Sequence, residues 1–398
     1  MKVTWWVWTS QLKAQRSKVA MICLLLMLLT GSALQGAEPQ KTTPKIQLSH
    51  ADLNSVSFVS ANDGWAVGYA DPQDGEQTVC IHWDGKSWTR FPCLGSQKGT
   101  LAAVKAIATD DVWAVGQDTD GSLAVHWDGK KWNKVSLDPT NKNPVALAAL
   151  DAVSGKDVWA GGITARDDKA FGVIEHWDGK AWKISYLSRA QTMPLIFVPS
   201  MSAAAADNAW AIFLMERKSD EPGPDLLHWD GTTWKPFYLP GQDIYSVWGI
   251  AADSRDSAWA VGANADDHTM TAHWDGKAWR IVPSVPFDDH GQLRTIARVS
   301  TKDLWAVGNT DFGSGRGSVF FEHWNGSKWD LIDPKQGGEI NSLSVVSSTD
   351  IWAVGTETTQ TFGDDIHNSV VTMDALIGHW DGKAWTFKKP FAVPGSAP

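Results

Sequence analysis

His379-Trp380-Asp381-Gly382-Lys383-Ala384-Trp385, preceded by Asp350-Ile351-Trp352-Ala353-Val354-Gly355, is one copy of a two-part unit that recurs along the chain. The His of the second part stands at 82, 126, 176, 228, 273, 323 and 379, each time followed by Trp, then Asp-Gly or Asn-Gly, then a second Trp five residues after the first. The Trp of the first part stands at 65, 113, 159, 210, 259, 305 and 352. Together these motifs account for 21 of the 25 Trp residues, leaving Trp5, Trp6, Trp8 and Trp248, so the tryptophans belong to the repeat. A period of roughly 45 to 50 residues is in the range of propeller blades.

Each unit has the periodicity of strands. In the first copy Leu53 to Ser60 alternates apolar and small polar residues, and Trp65 to Tyr69, Val79 to Trp83 and Ser87 to Phe91 are short β-prone runs. Asp84-Gly85 between apolar flanks reads as a two-residue hairpin turn, pairing Trp83 with Lys86, His82 with Ser87 and Ile81 with Trp88. Both faces of the hairpin then carry bulk, as in a sheet covered on both sides. Seven four-stranded units of this kind predict an all-β fold, a seven-bladed β-propeller of antiparallel blades closed radially. Whether the ring closes by strand exchange stays open at this level.

The organisation expected is a signal peptide over 1–37, a linker over 38–49, the propeller over 50–392 and a tail over 393–398. Residues 1–37 hold Lys2, Lys13, Arg16 and Lys18 and no acid, then an apolar run from Val19 to Leu29 and small residues to Ala37. That run is far short of the ~20 residues of a spanning helix, so export to the periplasm or beyond is expected, with no stable membrane span after cleavage. Beyond residue 37 the 35 basic residues fall to 31 against 45 acidic. That sign argues against nucleic acid as a partner. Cys80 and Cys93 both lie beyond Ala37, but the hairpin register above sets Cys80 opposite Thr89 and leaves Cys93 beyond disulfide reach.

In a meander, turns one-two and three-four share one rim, while loops two-three and the links between units share the other. The first rim is repetitive; the second carries all the length variation, and function is expected there. Its loops hold Asp71, Asp74 and Glu76; Asp118 and Asp120; Asp167 and Asp168; Asp266, Asp267 and His268; Asp288, Asp289 and His290; Asp364, Asp365 and His367. Carboxylates with carbonyls suit Ca²⁺, and carboxylate with His suits a transition metal. None of the spacings matches an EF-type loop, so no cofactor is assigned, and Ca²⁺ is the ion left in consideration. The seven repeat His residues read as hydrogen-bonded core groups rather than a shared metal site. Ser60, Ser154, Ser300 and Ser347, three residues before Asp63, Asp157, Asp303 and Asp350, read as turn-forming side chains. The shifted Asp207 and Asp256 read as a one-residue insertion in copies four and five.

Trp248, the one Trp of the body outside the repeat, falls near the start of the fifth copy's innermost strand, at the channel mouth on the variable rim. Tyr245, Arg294 and Asn341 fall in comparable regions, and the four are candidate ligand contacts. No Gly-x-Ser-x-Gly, phosphate-binding glycine loop, paired-Cys metal motif or zinc-protease helix occurs.

The alternation of D-x-W-A-V-G with H-W-D-G-K-x-W over residues 50–392 resembles exported bacterial β-propeller proteins grouped with the kelch-type propeller of galactose oxidase. It is similar in rhythm to tectonin-type lectin blades. The resemblance implies an extracytoplasmic propeller and leaves its chemistry unassigned. The expected role is a non-enzymatic, monomeric binding or scaffold protein that recognises a protein or glycan through the variable rim. A carbohydrate-active enzyme using loop carboxylates is the alternative.

Overall fold

The computed structural model describes residues 51–70, 77–93, 98–119, 121–138, 143, 145–166, 169–189, 191–192, 196–215, 226–241, 244–285, 291–310, 317–361 and 370–390. Seven consecutive antiparallel sheets, each with its four strands in chain order, span residues 51–91, 99–134, 145–187, 201–237, 244–282, 291–337 and 339–388. Gln191–Thr192 adds a short fifth strand to blade 3. The first strands are Ala51–Ser60, Gly99–Ala108, Val145–Ser154, Met201–Ala205, Ile244–Ser254, Gly291–Ser300 and Glu339–Ser347. Each packs against the first strands of both neighbouring blades, and the last packs against the first, so they form the inner wall of a closed ring. Among the described residues no helix is long and apolar enough to cross a membrane.

The repeat tryptophans bind the blades to one another. The first Trp of each blade lies nearly perpendicular to the last Trp of the next: Trp65 to Trp132, Trp113 to Trp182, Trp159 to Trp234, Trp210 to Trp279, Trp259 to Trp329, Trp305 to Trp385 and Trp352 to Trp88. Edge-to-face contact of this kind favours the ring quadrupoles beyond the area that it buries. The seventh contact joins blade 7 to blade 1, and every sheet is built from consecutive strands. Among the described residues, closure therefore uses side chains and no exchanged strand.

On the other face of each first Trp lies the blade's own repeat His, with ring centroids 4.0 to 4.6 Å away. His82, His126, His176, His323 and His379 are half-buried, each with Nε2 2.7 to 2.9 Å from Asp63, Asp111, Asp157, Asp303 or Asp350. In blades 4 and 5 Asn208 and Ser257 take the Asp's place toward His228 and His273. Burial, with no such carboxylate opposite, lowers the pKa of both rings. Asp207 and Asp256 occupy the turn one residue earlier, so no insertion is present there. The serines do form the turns: Ser60, Ser154, Ser254, Ser300 and Ser347 each accept the amide two residues on.

The hairpin register differs from the two-residue reading. Trp83 pairs with Trp88, His82 with Thr89 and Cys80 with Phe91, and Trp faces Trp directly in every blade. The turn has four residues because Asp84 Oδ1 accepts the amides of Lys86 and Ser87, with Gly85 at φ +88°. Those two bonds pull the Asp84 pKa below its ordinary value. The two-residue shift brings Cys93 alongside Cys80, and the pair forms a disulfide with Cα atoms 5.8 Å apart, overturning the expectation of no bridge.

The Gly that ends Trp-Ala-Val-Gly has a steric cause. In blade 1 the first strand bulges between Leu53 and Ser55, and a Cβ on Gly68 would stand 1.9 Å from the carbonyl oxygen of Asp52. In blade 4 Phe213 holds that place, and the ladder breaks there into a separate pair, Ile196 with Met215 and Phe197 with Leu214.

Candidate functional site

Bulges set one residue of the innermost strand apart near its variable-rim end in every blade but the fourth. Six of the seven first strands carry one at the same point, and the extra residues are Asn54, Ala102, Ala148, Trp248, Arg294 and Asn341. Each stands eleven residues before its blade's first Trp, and Pro199 has that place in blade 4. A bulge residue leaves the ladder and is re-aimed by the local bend, the geometry that presents a side chain to a ligand. Blades 2 and 3 contribute only methyl groups at this level. Blades 5, 6, 7 and 1 contribute an indole, a guanidinium and two amides, so the mouth has one half of large polar and aromatic side chains and one of small residues.

The crowded half is tied together. The Arg294 guanidinium lies 4.5 Å from the centre of the Trp248 ring, and the Trp248 Nε1 donates to Ser246 Oγ at 3.0 Å. Burial lowers the Arg294 pKa to about 10, against the attraction of Glu339. Asn341 Nδ2 donates to Asp52 Oδ1 at 2.9 Å and to the Leu53 carbonyl at 3.0 Å, across the seam between blades 7 and 1. Asn54 Nδ2 repeats the second contact one blade on, to the Leu101 carbonyl at 2.8 Å. Thr356 Oγ1 also donates to Asp52. Desolvation raises the Asp52 pKa to about 6, and the neighbouring charge of Glu339 pushes the same way.

The four sequence candidates are thus brought to one region, with one change of grouping. Trp248, Arg294 and Asn341 are equivalent positions of blades 5, 6 and 7. Tyr245 belongs to the same strand as Trp248, at a separate bulge, and is 48% exposed at the rim. Asp52, Glu339, Thr356 and Asn54 join the site without having been singled out from sequence. The eleven-residue spacing to the Trp was the signal available for Asn54.

The acidic loops give a different picture. Asp71, Asp74, Asp288, Asp289, His290, Asp364, Asp365 and His367 lie outside the described residues. Asp266 and His268 donate their amides to Asn264 Oδ1 at 3.0 and 2.9 Å, and Asp267, at φ 59°, donates its amide to the Asn264 carbonyl. These contacts fold Asp266, Asp267 and His268 into a turn around Asn264. Among the described residues no three His, Cys, Asp or Glu side chains stand close enough to share a metal ion.

Solved structures with the same fold include YCF48 bound to D1 peptide, with a TM-score of 0.55, 16% identity, and coverage of 84% of this chain and 93% of that one. YCF48 from Cyanidioschyzon merolae gives a TM-score of 0.52 at 16% identity, covering 77% of this chain and 94% of the other. The GH74 xyloglucanase from Xanthomonas campestris gives 0.52 at 14% identity, covering 82% of this chain and 55% of that chain. At these identities the likeness is one of fold. No protein-family model matches the sequence, and no curated protein matches it.

Proposed function

We propose that the chain is a non-enzymatic binding propeller outside the cytoplasm, which holds a protein segment or a glycan at the channel mouth of its variable rim. The observation that carries this reading is the two-sided mouth: Tyr245, Trp248, Arg294, Asn341 and Asn54 along one half, Ala102 and Ala148 along the other. An indole fixed by Arg294 and Ser246 presents apolar area with little conformational freedom left to lose, as a binding anchor requires. YCF48, a propeller of like fold, is seen with a bound peptide, so a propeller of this kind can hold one. The Cys80–Cys93 disulfide suits an oxidising compartment, in keeping with the export signal expected over residues 1–37.

The test is affinity capture from the exported fraction of the source cell on the wild-type protein, with a Y245A/W248A variant alongside. Partners retained by the first and absent from the second are expected. Identical sets on both would remove the mouth from the account.

One observation favours a second reading, a carbohydrate-active enzyme. Asp52, with its pKa raised to about 6, faces the charge of Glu339, and a pair of neighbouring carboxyls is what glycosidases use as acid and base. Sugar release from xyloglucan and related polymers, present in the wild type and lost in D52N and E339Q, would install the enzyme in place of the binder.

A further inference from the structure

The chemistry of the mouth narrows its ligand, on the reading that the mouth is the binding site. Asn54 and Asn341 both commit Nδ2 to backbone carbonyls of the next blade, which leaves each Oδ1 as an acceptor. Asp52 and Glu339 add carboxyl oxygens, and Asp52 accepts from Asn341 and Thr356. The wall therefore offers oxygen after oxygen and calls for a ligand that donates.

Charge separates the two kinds of donor. Glu339 acts on both the Arg294 guanidinium and Asp52, and it disfavours ionisation of Asp52. An incoming cation offsets that repulsion, whereas a sugar hydroxyl leaves it in place. The whole chain, with 45 acidic and 35 basic residues, attracts a cation from a distance as well. Tyr245, half exposed three residues before Trp248 in the same strand, offers the aromatic face that an ammonium or guanidinium group stacks on.

We infer that the channel mouth receives a lysine- or arginine-bearing segment of a partner protein, with Glu339 and Asp52 as its counter-charges and Tyr245 as its aromatic contact. Trp248 and Arg294 act as positioning residues that hold the wall in place. A neutral glycan is the competing occupant.

The experiment is fluorescence anisotropy with three short labelled Gly/Ser peptides carrying lysines, glutamates or no charge, together with a panel of neutral oligosaccharides. It uses the full exported chain and its E339Q, D52N and Y245A variants. The lysine peptide is expected to bind at least about tenfold more tightly than the other two peptides, and more weakly as salt rises. E339Q is expected to weaken it by about tenfold and Y245A by about threefold, with unchanged melting curves. E339Q and Y245A guard against D52N disturbing the blade seam. Equal binding of all three peptides, or a lysine preference untouched in E339Q and Y245A, overturns the inference. Oligosaccharide binding that Y245A abolishes, without lysine-peptide binding, overturns it and leaves the mouth as the site. No response to any probe, with capture unaffected by Y245A/W248A, removes both.

Discussion

Trp352 of the last blade and Trp88 of the first lie with ring centroids 5.6 Å apart and planes at 78°, the same relation that joins every other pair of neighbouring blades. The seam that brings the two ends of the domain together is thus built like the six that chain connectivity enforces. Ser342 and Ser344 add to it by accepting the amides of Val56 and Phe58, as Ser55 and Ser57 accept those of Val104 and Ala106 in the next seam. Side chains satisfy the inner-strand amides that face the neighbouring blade.

W352A is accordingly expected to cost about 3 to 5 kcal/mol, as much as W113A at an internal seam. Chemical denaturation of both variants checks this. A W352A loss far below that of W113A would mean that the closing seam contributes little.

Reducing the Cys80–Cys93 bridge, which closes a 13-residue separation, is expected to lower stability by about 3 kcal/mol. The readouts are a thiol assay showing no free thiol at either position in the folded protein and the denaturation midpoint of C80A/C93A. Two titratable thiols at those positions would contradict the pairing and the register that creates it.

G68A places a methyl 1.9 Å from the Asp52 carbonyl, so the bulge at Asn54 must flatten or the strand must move. A loss of about 2 to 4 kcal/mol is expected, with weaker ligand binding as well, because the bulge aims the mouth residues. A ring that tolerates G68A with both properties intact would show that the bulge is not sterically enforced.

Glu175 is fully buried in blade 3, with Oε2 accepting the Asp138 amide at 3.2 Å and Oε1 without a donor. Desolvation raises its pKa from 4.5 to about 7, and the Asp138 charge adds to the rise. A carboxyl raised on folding leaves stability intact below its unfolded pKa and withdraws it as pH climbs toward the folded value. Stability should therefore fall between about pH 4.5 and 7, by on the order of 3 kcal/mol. E175Q should flatten that slope in urea melts taken across the window. An equal slope in E175Q would assign the effect to other groups.

Much of the ring was legible in the sequence, because Trp at fixed spacing reports a packing unit that must recur. The hairpin register was not, since Asp-Gly signals a turn without giving its length; Asp84 accepting two amides decided for four residues, and the Cys80–Cys93 pairing followed. Trp248 stood out by falling outside the repeat, and Arg294 and Asn341 by sharing its place. Asp52 and Glu339 did not, because an acid in an inner strand gains its meaning from the neighbouring blade that faces it, which no local pattern encodes.

Hydrogen–deuterium exchange of the protein, alone and with a captured partner, tests the claim of a binding mouth most directly. Protection is predicted at the starts of the first strands, in peptides covering 51–54, 244–248, 291–294 and 339–341, with the repetitive turns such as Asp84–Ser87 unchanged. Protection confined to those turns, or to the outer fourth strands, would contradict it.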